Sequence, residues 1–185
     1  MEFRRVLFRS SVKAFVPIRA VTLAMLVHAG YGSTTSDRDG GDRALPLTER
    51  FRLGGNFGLR GYQDYGLRQY DSRGCTLAHR GDALVPVGAA AGCETPQPGD
   101  VTARDGNLVL NGSVELRFPV LGSWFGGVFW DWGAIAESWS GQVNSLHSQS
   151  VRHSLGLGLR YVLAGQIPVR LDYGLALGRR CRDVG

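Results

Sequence analysis

Four stretches of the chain alternate apolar and polar residues with a period of two, as strands do when successive side chains point to opposite faces. In Asn107–Pro119 one face carries Leu108, Leu110, Val114, Leu116 and Phe118, and the other carries Asn107, Asn111, Ser113, Glu115 and Arg117; Val109 alone breaks the pattern. Val151–Leu163 sets Val151, Leu155, Leu157, Leu159, Tyr161 and Leu163 against Arg152, Ser154, Gly156, Gly158 and Arg160. Ile167–Gly178 sets Ile167, Val169, Leu171, Tyr173, Leu175 and Leu177 against Arg170, Asp172, Gly174, Ala176 and Gly178. Trp124–Glu137 is less regular: Val128, Trp130, Trp132 and Ala134 make an apolar face, while Phe129 and Ile135 share a parity with Asp131.

Alternation of this kind fits a soluble antiparallel sheet resting on a core as well as a membrane barrel. Strand length separates the two, because a tilted strand needs about ten residues to cross a bilayer and soluble strands usually run to about five or six. The polar faces also hold Glu115, Asp131, Arg152, Arg160, Arg170 and Asp172, too many charges for a dry core but suited to a polar lumen. Tyr31, Phe118, Trp124, Trp139 and Tyr161 fall near strand ends, where barrels place interfacial aromatics. The pattern therefore predicts an all-β fold, a partial transmembrane antiparallel β-barrel.

A further strand is expected over Val21–Tyr31, with Val21, Leu23, Met25, Val27, Ala29 and Tyr31 outward and Leu26 as the parity error. The same region, basic residues followed by an apolar run and His28-Ala29-Gly30, also reads as a secretory leader with a small-residue cleavage site. Residues 1–17 are left as a leader, and Met1–Ser10 reads as a non-native scar. The division that follows is 18–178 for the C-terminal portion of a barrel of about five strands here, with a long loop at 33–106, and 179–185 for a truncated end.

Composition changes little: 185 residues, 43% hydrophobic, with 27 glycines, fit one domain of many kinds. No run of about eighteen apolar residues is present to form a transmembrane helix. The net charge of +5 comes mostly from Arg4, Arg5, Arg9, Lys13 and Arg19; without a basic face interleaved with aromatics it implies no nucleic-acid partner. The 33–106 segment is rich in Gly, Asp, Arg and Pro, has no sustained period, and by its length is functional or disordered. Cys75 and Cys93 lie within it; in an oxidising compartment they pair, closing a loop for about 3 kcal/mol, and otherwise they are two free thiols. His79 and Cys181 supply no zinc-ligand spacing. Glu115 and Asp131 resemble a glycosidase carboxylate pair only formally, and neither a Gly-x-Ser-x-Gly elbow nor a phosphate loop is present. No enzyme, metal or cofactor is expected.

The motifs, in order, resemble those of the BamA/TamA outer-membrane assembly factors, the bacterial surface antigen family, over roughly residues 18 to 178. Arg50-Phe51-Arg52-Leu53-Gly54-Gly55 leading to Leu59-Arg60-Gly61-Tyr62 is similar to the family's Val-Arg-Gly-Phe/Tyr loop motif. Ser113–Pro119 resembles its next strand, Val128-Phe129-Trp130-Asp131-Trp132-Gly133 its Phe-x-Asp-x-Gly strand, and Gly156–Tyr161 with Ile167–Gly174 its penultimate hairpin.

The resemblance implies that the loop folds back into the barrel and that Arg60 meets Glu115 and Asp131 on the inner wall. Two carboxylates on adjacent strands favour a cation between them, and a guanidinium can bond them in pairs. Gly54, Gly55, Gly58 and Gly61 permit the tight loop backbone, and Gly133 belongs to the wall motif. The expected function is help in folding and inserting β-barrel proteins in the bacterial outer membrane. The expected partners are outer-membrane lipids, nascent barrel clients, and the POTRA domains and accessory lipoproteins of a full-length protein. A two-partner secretion translocator or passive pore is the alternative, and a soluble β-sandwich binding module the second. Family barrels have sixteen strands, so the chain is expected to be one part of such a barrel.

Overall fold

Residues that alternate in hydrophobicity pair with their neighbours so that like faces line up, and the register follows from that requirement. The computed structural model describes residues 5–34, 49–56, 58–69, 75–81, 83–89, 91–136, 151–163 and 166–177. Six long strands form one antiparallel sheet: β1 (Arg5–Ile18), β2 (Val21–Thr34), β8 (Leu108–Leu121), β9 (Trp124–Ala136), β10 (Arg152–Leu163) and β11 (Ile167–Leu177), in that order across the sheet. Each runs 11 to 14 residues, enough for a tilted crossing. Short turns join β1 to β2 and β8 to β9 at one end, where β10 also gives way to β11, while the long excursion from β2 to β8 leaves from the other.

Register sorts the side chains into two faces. Leu23, Leu116, Val128 and Leu157 lie opposite one another in succession, and Leu157 opposes Tyr173; this face is exposed, with Leu157 at 62% and Tyr173 at 68%. The soluble sandwich alternative needs a second sheet over that face, and none covers it among the described residues. On the other face, three rows follow. Ala24, Glu115, Phe129, Gly156 and Gly174 form one; Leu26, Ser113, Asp131, Ser154 and Ala176 the next; Thr22, Arg117, Gly127, Gly158 and Asp172 the third.

Two expectations change. Arg5–Ile18, all but its last residue in the 1–17 stretch left as a leader, is a strand in continuous register with β2, so the described sheet has six long strands where about five were expected. Its even positions, Phe8, Val12, Val16 and Ile18, face outward with β2's apolar side, and Arg9 and Lys13 face the other way. Val21–Thr34 is likewise a strand, three residues longer than expected. The excursion also carries order of its own: β3 (Phe51–Arg52) pairs with β7 (Asp105–Gly106), and β4 (Thr76–Arg80) pairs with both β5 (Ala83–Val87) and β6 (Val101–Thr102). Strands of two to five residues are too short to establish a visible period. Trp139 and residues 179–185 lie outside the described residues.

Candidate functional site

The excursion returns to the sheet's polar face and builds a small core there. Phe51, Leu53, Leu59 and Leu67 from the loop pack with Val109 of β8 and Ile135 of β9, and Tyr62 lies against them. Small residues on the wall make the room: a Cβ at Gly133 would stand 2.6 Å from the Leu53 side chain, and one at Gly30 2.5 Å from the Phe51 ring. The loop backbone also touches the wall where Gly61, at φ +89°, crosses Gly174; a Cβ on either would come within 2.8 Å of the other's backbone. Gly54 and Gly55 also have positive φ, but they make space for Gln63 and Asp64 of the loop itself and not for the wall.

These contacts deliver Arg60 to the middle of the inner face. Its Nε and Nη2 donate to the two oxygens of Asp131, each at 2.7 Å, and its backbone N–H donates to Asp131 Oδ2 at 3.1 Å. Nη1 donates to Glu115 Oε2 and to Asp172 Oδ2, both at 3.0 Å, and Nη2 also donates to Ser113 Oγ at 3.0 Å. The Ser113 hydroxyl in turn donates to Asp131 Oδ1 at 2.6 Å. Every N–H of the guanidinium is thus committed. Its plane rests over the Phe129 ring, 3.4 Å from the centroid, an arrangement that attracts a cation to the ring's negative face. Gly156, opposite Phe129, leaves that ring its place, since a Cβ there would lie 2.2 Å away.

The surrounding charge is balanced by further arginines. Arg117 Nε donates to Glu115 Oε1 at 3.0 Å, Arg160 bonds the same oxygen, and Arg170 bonds Asp172. The carboxylates are nearly dry, with side-chain exposure of 8% for Glu115 and 1% for Asp131. Such a set is held by mutual pairing, because removing one partner leaves an uncompensated buried charge. A cavity of about 240 Å³ remains beside it, lined by Lys13, Leu26, Asn56, Arg117 and Arg170 among others. Tyr62 continues the contact, its hydroxyl donating to the carbonyl of His153 at 3.2 Å with the carbonyl of Leu177 as a second acceptor within reach at 3.5 Å.

Arg60, Gly61, Tyr62, Glu115 and Asp131 therefore come together, with Gly133 beside the loop. Pattern reading missed Phe129, Ser113 and Asp172 as partners of Arg60. The signal for the first was its parity with Asp131, and for Asp172 its place among the inward charges. Cys75 and Cys93 form a disulfide away from Arg60, Cα atoms 5.6 Å apart. Nearby Arg80 donates through Nε and Nη2 to Asp100 at 2.8 and 2.9 Å and through Nη1 to Glu94 at 2.7 Å. Among the described residues no cluster of His, Cys, Asp or Glu could hold a metal ion.

Comparison with known proteins follows the same lines. No curated protein matches the chain by sequence. Among solved structures it is similar to BamA from Haemophilus ducreyi lacking POTRA domains 1–3, with a TM-score of 0.62 and 16% identity over 96% of this chain and 32% of that one. The chain thus spans about a third of that structure's length and shares its fold. The Omp85 superfamily domain matches residues 5–183, taking in all six long strands, β1 included. On that match the chain belongs to the Omp85 superfamily, and its open sheet is part of an outer-membrane β-barrel.

Proposed function

We propose that the chain is the C-terminal barrel portion of an outer-membrane assembly factor, which aids the folding and insertion of β-barrel proteins without enzymatic chemistry or a cofactor. Its setting is the bacterial outer membrane, and its partners are the lipids around the apolar face, nascent barrel clients, and the POTRA domains and accessory lipoproteins of the full-length protein. The observation that carries this reading is the loop arginine with every N–H donor committed to the inner wall. A passive pore needs no such brace. In an insertion factor, a fixed loop keeps the lumen filled and the wall in one shape while the barrel acts on its clients through strand pairing and bilayer perturbation. The test is Arg60→Ala in the full-length protein, reconstituted in liposomes and assayed for insertion of a model barrel client. Assembly falling several-fold while the variant barrel still inserts supports the brace, and unchanged client insertion overturns it.

A further inference from the structure

Arg60, Gly61 and Tyr62 do not stop at the strands that carry Glu115 and Asp131; all three reach β11. Arg60 meets Asp172, Gly61 lies on Gly174, and the Tyr62 hydroxyl reaches the carbonyl of Leu177. Asp172 and Gly174 are two apart on one face of the strand, so three consecutive loop residues lie along it. Leu171, Tyr173 and Leu175 on the outer face of β11 are exposed on the apolar side of the sheet, so the loop contacts of β11 all fall on its inner face. Tyr62 joins the two strands of this hairpin directly, because His153 and Leu177, whose carbonyls it approaches, are register partners.

Asp172 is the charged point of this contact. Its Oδ2 accepts from both Arg60 and Arg170, while its Oδ1 is buried with no hydrogen-bond partner among the described residues. The carboxylate is therefore held almost entirely through the oxygen that faces the loop.

We infer that Arg60-Gly61-Tyr62 is a tie between the loop and the β10–β11 hairpin, with Asp172 as its positioning residue, so that undocking the loop loosens β11. The inference rests on the brace proposed above and adds what the brace regulates. Coupling of this kind is reciprocal: whatever pairs with or moves β11 also shifts the loop.

Hydrogen exchange of the full-length protein in lipid nanodiscs tests it, read over 167–177 for the tie and over 108–121 for the part of the brace that Glu115 and Ser113 hold, with protease cleavage of the loop read in parallel. Asp131→Asn undocks the loop and is expected to raise exchange in 167–177. Asp172→Asn is expected to raise it several-fold there and leave 108–121 unchanged, with Asp172→Glu restoring part of the protection. Arg170→Gln, which removes only the partner within the strand, is expected to stay near wild type. If the loop of Asp131→Asn is cleaved faster while β11 exchange in both Asp variants stays at wild type, the tie is overturned and the brace stands. Arg170→Gln raising exchange as much as Asp172→Asn also overturns the tie, because pairing within β11 then explains the effect. If the Asp131→Asn loop stays docked, the brace fails and the tie fails with it.

Discussion

Arg60 holds its place through shape as much as through charge. Lysine carries the same charge, but it is a point donor that cannot bond both oxygens of Asp131 while also reaching Glu115, Asp172 and Ser113. Nor can its ammonium lie flat on Phe129 as the guanidinium does. Arg60→Lys is therefore expected to behave nearly like Arg60→Ala in loop docking, which protease resistance of the loop in the full-length protein will measure. Protection equal to wild type would mean that charge alone suffices. Removing one partner of a buried pair typically costs on the order of 3–5 kcal/mol. Here the loss falls most heavily on Asp131, because Glu115 keeps Arg117 and Arg160 and Asp172 keeps Arg170. Gly174 makes a separate steric demand: any side chain there meets the Arg60–Gly61 backbone. Gly174→Val is expected to displace the loop with every charge intact, again visible as lost protease protection.

At the scale of the elements, the places where alternation fails are the most informative. Val109, Phe129 and Ile135 are apolar residues on the polar face, and all three are buried by the returning loop, the first and last in its core and Phe129 beneath Arg60. A period-two pattern reports a lipid side and a water side; it has no symbol for a wall position covered by another segment. The strands and their faces were legible for this reason, as was the meeting of Arg60 with Glu115 and Asp131 once motif order was considered. Phe129 was not, because its partner lies 69 positions away in a segment without a period. β1 was obscured differently, its basic and apolar residues also fitting a leader.

The cap of the excursion shows a second device at this scale. The disulfide and the Arg80 guanidinium hold the same stretch, one at Cys93 and the other at Glu94 and Asp100. Arg80 and the Gln97 N–H draw the Asp100 carboxyl down from 3.8 to about 2. A carboxyl lowered on folding adds stability that is present above its unfolded value and lost as the pH falls through the folded one. With the disulfide reduced, the cap is expected to keep its protease resistance at neutral pH and lose it between about pH 4 and about pH 2. Pepsin digestion across that range checks this, and Arg80→Ala is expected to be cleaved readily at its upper end. Acid sensitivity identical in both proteins would remove Arg80 from the account.

Across the whole molecule, the sheet has an apolar face that only lipid suits and a charged face that only a filled lumen suits. One segment of chain reconciles the second with folding. The loop's core and the Arg60 cluster give the inner wall partners that water alone would supply less rigidly. All of this depends on the loop standing docked on the inner wall with Arg60 holding it there. The most direct measurement is proteinase K digestion of the full-length protein in a lipid bilayer, wild type beside Arg60→Ala, with cleavage mapped over residues 53–69. Losing about 3 kcal/mol corresponds to roughly a hundredfold in the docking equilibrium. The wild-type segment is expected to stay intact while the variant is cut far faster under the same conditions; equal rates of cleavage would mean that Arg60 does not hold the loop.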